Sequence, residues 1–166
     1  MWNDWKFTKQ NLKIQINKIS NLFSNENIKI SGDSAEGTIT LKSLLKIDDV
    51  WGPEAKIDIL WHNLNREDYH HGFYVKENIQ KYTELDIAST KKENLWHLSH
   101  ELTNWYGIRR QMIKGRFYPS RIIHSIWYCD FTTRVFEVHA VILDFAYAKY
   151  EKTILSLIDS LQCHEV

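Results

Sequence analysis

The stretch RIIHSIWYCDFTTRVFEVHAVI, residues 121–142, decides the fold. Arg121 to Cys129 and Arg134 to Ile142 are rich in β-branched and aromatic residues, and polar Asp130, Thr132 and Thr133 lie between them. This is the pattern of a β-hairpin with a four-residue loop. Pairing Cys129 with Arg134 sets Trp127 opposite Phe136 and Ser125 opposite Val138. Side chains alternate along a strand, so Trp127, Cys129, Phe136, Val138 and Ala140 share one face. His124, Ile126, Tyr128, Val135, Glu137, His139 and Val141 share the other. The first face is the more apolar and is expected to be covered, leaving the second as a solvated or hydrogen-bonded polar face.

The cover comes from the residues that follow. Tyr147, Tyr150, Ile154, Leu157, Ile158 and Leu161 recur at helical spacing, and Asp144 is placed to cap the start. A strand over 134–142 is roughly 30 Å long. A helix over 145–162 is roughly 27 Å long. An antiparallel return of matched length therefore brings Cys163 back beside Cys129. The C-terminal helix is expected to cover the 121–142 hairpin, with Trp127 and Phe136 beneath Ile154, Leu157 and Leu161.

Working outward, Glu54 to His62 alternates Ala55, Ile57, Ile59 and Trp61 against Lys56, Asp58 and His62, which reads as a strand. Glu36 to Leu45 reads as another. Val75 to Leu85 resembles a short helix. Leu95 to Thr103 reads as one strand, with His97 and His100 on opposite sides, and Ile108 to Phe117 as an edge strand. Leu12, Ile16, Ile19 and Phe23 form a helical stripe over residues 8–24, although Leu12, Ile14 and Ile16 also alternate. The whole is α+β: one antiparallel sheet packed against helices. With 166 residues and no linker-like tract, residues 1–166 are expected to form a single domain.

Composition excludes more than it assigns. The 21 basic and 21 acidic residues cancel, so bulk charge gives no case for nucleic acid or an anionic membrane. No apolar run approaches the roughly 20 residues of a membrane span. The first residues do not read as a secretory signal, so a cytoplasmic location is expected. There is no phosphate loop, dinucleotide fingerprint or serine-nucleophile elbow. No catalytic residue and no cofactor is assigned, and an enzyme is the less favoured class. The seven tryptophans are spread along the chain and read first as core, with an apolar pocket or interface as the alternative.

Three groups are candidates for chemistry. The only two cysteines, Cys129 and Cys163, with His164, suit a disulfide, a metal site, or two buried thiols that happen to be neighbours. A structural metal site needs four ligands; the fourth is not evident, and His124 or Asp130 could be tried. No metal role is assigned to His70 and His71, or to His97 and His100, while His124 and His139 should face one another across the hairpin. Between Glu101 and Asp130 there is no acidic residue, and Arg109, Arg110, Lys114, Arg116 and Arg121 interleave with Trp105, Tyr106, Phe117 and Tyr118. Such a stretch can hold phosphates and stack bases, or simply guard a sheet edge.

The pattern Trp127-x-Cys129-x-x-Thr132-x-Arg134-x-Phe136, followed by Ser160-x-x-Cys163-His164, resembles that of small uncharacterised archaeal proteins. The hairpin-then-helix layout of residues 120–164 is similar to the PsbP-like fold, which includes extrinsic photosystem proteins and a nuclear import factor that binds a small GTPase. The resemblance implies an antiparallel sheet between helices and a binding module rather than an enzyme. It carries no functional residue over. The expected function is therefore a soluble module binding a protein or small ligand; the alternatives are an anion or nucleic-acid binder using 105–121, then a thiol- or metal-dependent enzyme. The sequence names no particular partner and no oligomeric state.

Overall fold

The computed structural model describes residues 28–47 and 50–164, with side chains over 29–43 and 54–164. In chain order the elements are β1 (Ile28–Gly32), β2 (Glu36–Ile47), β3 (Val50–Asn63), α1 (His71–Tyr82), β4 (Lys91–His97), β5 (His100–Ile113), β6 (Arg116–Cys129), β7 (Arg134–Leu143) and α2 (Tyr147–Ser160). Single 3-10 turns, Arg66–Asp68 and Asp144–Ala146, precede the two helices. All seven strands join one antiparallel sheet in the order β1-β2-β3-β7-β6-β5-β4. The chain runs to the β4 edge and then works back, so β7 sits centrally between β3 and β6. The stripe over 8–24 lies outside the described residues.

The hairpin register follows the sequence reading. Cys129 pairs with Arg134, Trp127 with Phe136, Ser125 with Val138 and His124 with His139. The first face belongs to one hydrophobic core with Ile39, Leu41, Ala55, Ile57, Ile59 and Trp61, and that core also contains Tyr150, Ile154, Leu157, Ile158, Leu161 and Cys163. Trp127 stacks on Phe136 with ring centroids 5.5 Å apart. Tyr150 is buried yet satisfied, donating to Glu54 Oε2 at 2.7 Å, with its hydroxyl also 2.7 Å from Ser43 Oγ. Asp144 does not cap α2; its carboxylate accepts from Arg121 Nε at 2.7 Å.

The second face is not a solvated one. A second core joins Val75 and Ile79 of α1 to Trp105, Ile122, Ile126, Tyr128, Val135 and Val141. The alternation of Val135, Glu137, His139 and Val141 is half polar, but His139 is buried and Glu137 half-buried, and both join a polar network of their own.

The region Leu95–Thr103 is two strands, not one. Leu98 (φ 51°) and Ser99 (φ 67°) both take left-handed backbone, which makes a two-residue hairpin turn between β4 and β5. Neither is the Asn or Gly such a turn favours, so the sequence carries no turn signal here. Lys114 (φ 43°) and Gly115 (φ 78°) make the matching turn between β5 and β6. The basic stretch is therefore a hairpin, although β5 beyond Tyr106 has no β4 partner and is an edge there. Of the tryptophans with described side chains, Trp61, Trp105 and Trp127 are buried and Trp96 is 78% exposed.

A buried centre of two cysteines and two histidines

Four side chains from three distant parts of the chain meet at one end of the α2 face. His100 opens β5, Cys129 ends β6, and Cys163 and His164 follow α2. Each is positioned for a local reason. The turn at Leu98–Ser99 pairs His97 with His100, so both point to the same side. His97 then bonds the backbone: its Nε2 lies 2.5 Å from the Leu161 carbonyl oxygen, which ties the segment after α2 to the β4–β5 hairpin. Leu161 is extended (φ −69°, ψ 130°), so the helix has stopped before Cys163 and His164. On a helix those neighbours would diverge; off it, they converge.

The donor atoms of His100, Cys129, Cys163 and His164 all lie within 4.8 Å of one another. His164 Nδ1 is 3.4 Å from His100 Nε2, 3.4 Å from Cys129 Sγ and 3.3 Å from Cys163 Sγ. With Zn–S near 2.3 Å and Zn–N near 2.0–2.1 Å, the edges of a tetrahedron run about 3.3–3.8 Å. The three separations from His164 Nδ1 match such edges, and the remaining ones stay within 4.8 Å, so the four donors are close enough to ligate one ion. Exposures are 3% for His100, 0% for both cysteines and 7% for His164. Burial pushes both thiols up. In the coupled pair Cys129 is nevertheless held well below the usual thiol range, first by a hydrogen bond from Cys163 and then by bonds from His100 and Thr132, while Cys163 is raised.

The expected closeness of Cys129 and Cys163 is therefore present, but both are free thiols and no disulfide joins them. The fourth donor is His100, which the sequence reading placed on the far side of a continuous strand. His124 is on the opposite face of the sheet, against Trp105 and Tyr82. Asp130 stands outside the donor set, its Oδ2 3.8 Å from His100 Nδ1. No lone signal marks His100; only the β4–β5 register reveals it.

A second buried cluster lies under α1. His124 Nδ1 and His139 Nδ1 are 2.8 Å apart, and His124 Nε2 lies 3.1 Å from Glu137 Oε1, which also accepts from Asn78 Nδ2 at 2.8 Å. Glu137 takes one bond from a neighbouring strand and one from the helix. Burial, helped by His124, pushes His139 down to about 2, so it is neutral. The atoms form a chain and do not converge on a point.

The cations of the basic stretch do not share a surface. Register places Arg110 and Arg121 on the α2 face and Arg109 and Arg116 on the α1 face, with Lys114 in the turn. Arg110 is engaged by Glu84 at 3.3 Å, and Arg121 by Asp144 at 2.7 Å. Beside the four-residue centre there is instead a cleft of about 500 Å³, whose walls include Tyr69, His71, Trp96, His100, Glu101 and Tyr128. His71 lies within it, Nδ1 2.6 Å from Tyr69 Oη and Nε2 2.7 Å from Thr103 Oγ1. No helix among the described residues is long and apolar enough to cross a membrane. No protein-family model matches the chain, and no curated protein matches it either.

Proposed function

We propose that this chain is a binding module held together by one structural transition-metal ion, with His100, Cys129, Cys163 and His164 as its ligands. The single observation that carries this reading is the convergence of two sulfurs and two imidazole nitrogens, buried and within 4.8 Å of one another. Two sulfurs with two imidazoles select zinc among the common ions. Four protein donors fill the tetrahedron and leave no position for substrate, so the ion's part is to hold the fold. It ties the β4–β5 turn, the end of β6 and the segment after α2 to one point. The same reading takes α2 as the cover of the 121–142 hairpin, supported by the core that Ile154, Leu157 and Leu161 share with Trp127 and Phe136. The ligand-facing surface in this reading is the cleft beside His100, where exposed Trp96 offers an apolar contact. Helices on both faces of an antiparallel sheet are also the layout that the resemblance to PsbP-like binding modules implies.

Metal content tests it. Protein reduced anaerobically, loaded with zinc and dialysed should retain one zinc per chain, and a chelator strong enough to strip it should expose two reactive thiols. Cobalt in place of zinc should give the intense visible absorption of a tetrahedral thiolate site, absent in Cys129→Ser and in His100→Ala. A wild-type protein that takes up no zinc under these conditions overturns the proposal.

A further inference from the structure

The turn Asp130–Thr133 touches the centre at more places than its one ligand, Cys129, requires. His100 presents Nε2 to the donor set, so an ion bound there leaves Nδ1 as the protonated nitrogen of a neutral ring. That Nδ1 is buried and has no hydrogen-bond partner. The carboxylate of Asp130 faces it, Oδ2 at 3.8 Å, while Oδ1 is held at 3.0 Å by Arg66 Nε. Two residues on from Cys129's neighbour Asp130, the Thr132 hydroxyl is buried and has no hydrogen-bond partner. A thiolate carrying metal charge is the acceptor it lacks. Between them, Phe131 stacks on the His164 ring with centroids 4.3 Å apart. Asp130 and Phe131 thus touch two different ligands, and the unpartnered Thr132 hydroxyl follows them in the same turn.

Resting on the metal reading above, we infer that Asp130 and Thr132 are positioning residues of the centre: Asp130 accepts the Nδ1 proton of His100, directly or through one water, and Thr132 donates to the Cys129 sulfur. A metal on His100 Nε2 fixes the Nδ1–H tautomer that Asp130 accepts from, and a metal-bound Cys129 thiolate is a better acceptor than a thiol, so both contacts favour the loaded state over the neutral empty one. A buried imidazole N–H without an acceptor and a buried hydroxyl without one are each costly to leave unpaired. Carboxylate, imidazole and metal in line is also the general means by which a protein fixes the tautomer and raises the basicity of a histidine ligand.

The experiment is competition for zinc against a chelator of known affinity, with the melting temperature of the metal-free protein measured alongside. Asp130→Ala should lower zinc affinity about 10- to 100-fold, as loss of an outer partner does, and Thr132→Val should lower it by a smaller factor. The metal-free melting temperature should hardly move, and Asp130→Glu should recover most of the loss. Arg66→Gln, which removes the exposed partner of Asp130 and keeps the carboxylate, should stay within a few-fold of wild type. Cobalt-loaded Asp130→Ala should show a shifted visible spectrum, which a merely structural lesion would not produce. Wild type binding zinc tightly, with Asp130→Ala and Thr132→Val matching it in affinity and spectrum, overturns this inference and leaves the metal site standing. A wild-type protein that binds no zinc removes both.

Discussion

Two histidine clusters are buried on opposite faces of one sheet, and they are built differently. Under α1, Glu137, His124 and His139 run in a chain, hydrogen-bonded to one another and to Asn78. At the end of the α2 face, four donors point inward at a common centre, and two polar atoms around them, His100 Nδ1 and Thr132 Oγ1, are left without partners. The first arrangement satisfies itself. On the proposed reading the second is completed by an ion at its middle. The histidines of both clusters are buried, so burial alone does not separate a structural polar network from a proposed ligand site; the direction of the donors does.

The contrast can be attacked at several points. The largest effect should come from zinc itself. At free zinc about 1,000 times the dissociation constant, stability should rise by about 4 kcal/mol, seen as a higher melting temperature that Cys163→Ser abolishes and that His124→Gln leaves intact. A comparable rise in Cys163→Ser would place the ion elsewhere and erase the distinction.

A lesion in the core beneath the centre sharpens it. Leu157 is buried in the same cluster as Trp127 and Cys129. Leu157→Ala should cost about 2–5 kcal/mol in chemical denaturation, with zinc or without it. A cost confined to the loaded protein would mean that the helix docks only through the metal.

The chain under α1 should answer to protons instead. His139 titrates near 2 in the folded protein, far below an ordinary histidine, because burial and His124 disfavour its charge. The unfolded chain therefore binds the extra proton first. This contribution is complete above about pH 6.5 and declines as pH falls toward 2, by up to about 1.4 kcal/mol per pH unit. Glu137 is also held below its usual value and adds a loss at lower pH still. Lys56 and Asp58 of β3, Arg109 of β5, and Lys81 and Tyr82 of α1 surround the pair. Urea denaturation of the metal-free protein between pH 7 and 4 should show this slope, and His139→Phe should flatten it. An unchanged slope would place the acid sensitivity elsewhere.

The smallest effect belongs to the surface. Arg110→Gln breaks an exposed, solvent-screened pair with Glu84 and should leave stability almost unchanged in chemical denaturation, with zinc binding untouched. A larger loss would show that the β5–β6 hairpin leans on its charges.

Much of this was written plainly in residues 121–142. The alternation of Trp127, Cys129, Phe136 and Val138 set the register, and Cys163 does lie close to Cys129, although the helix is shorter than expected, Tyr147–Ser160 rather than 145–162. Residues whose period matches their environment are readable in this way. His100 was not, because its place depends on a left-handed turn made by Leu98 and Ser99, which carry no turn chemistry. Tertiary pairing imposes that turn, and nothing local announces it. The polar members of the second face misled for a related reason. Glu137 and His139 look like surface residues until Asn78 of α1 arrives to bond Glu137.

The β4–β5 turn has one more consequence. In a strand, a slip of a single residue sends every side chain to the other face. If β5 slipped by one against β6, His100 would leave the centre and Glu101 would take its place in the pattern, a charged oxygen on a longer arm. If the centre holds the proposed ion, four-ligand capture would be a parity check on the pairing of the strands. A chain that had mispaired its edge hairpin would still close a sheet but could not hold that ion, and metal uptake would sort the correctly registered molecules from the rest.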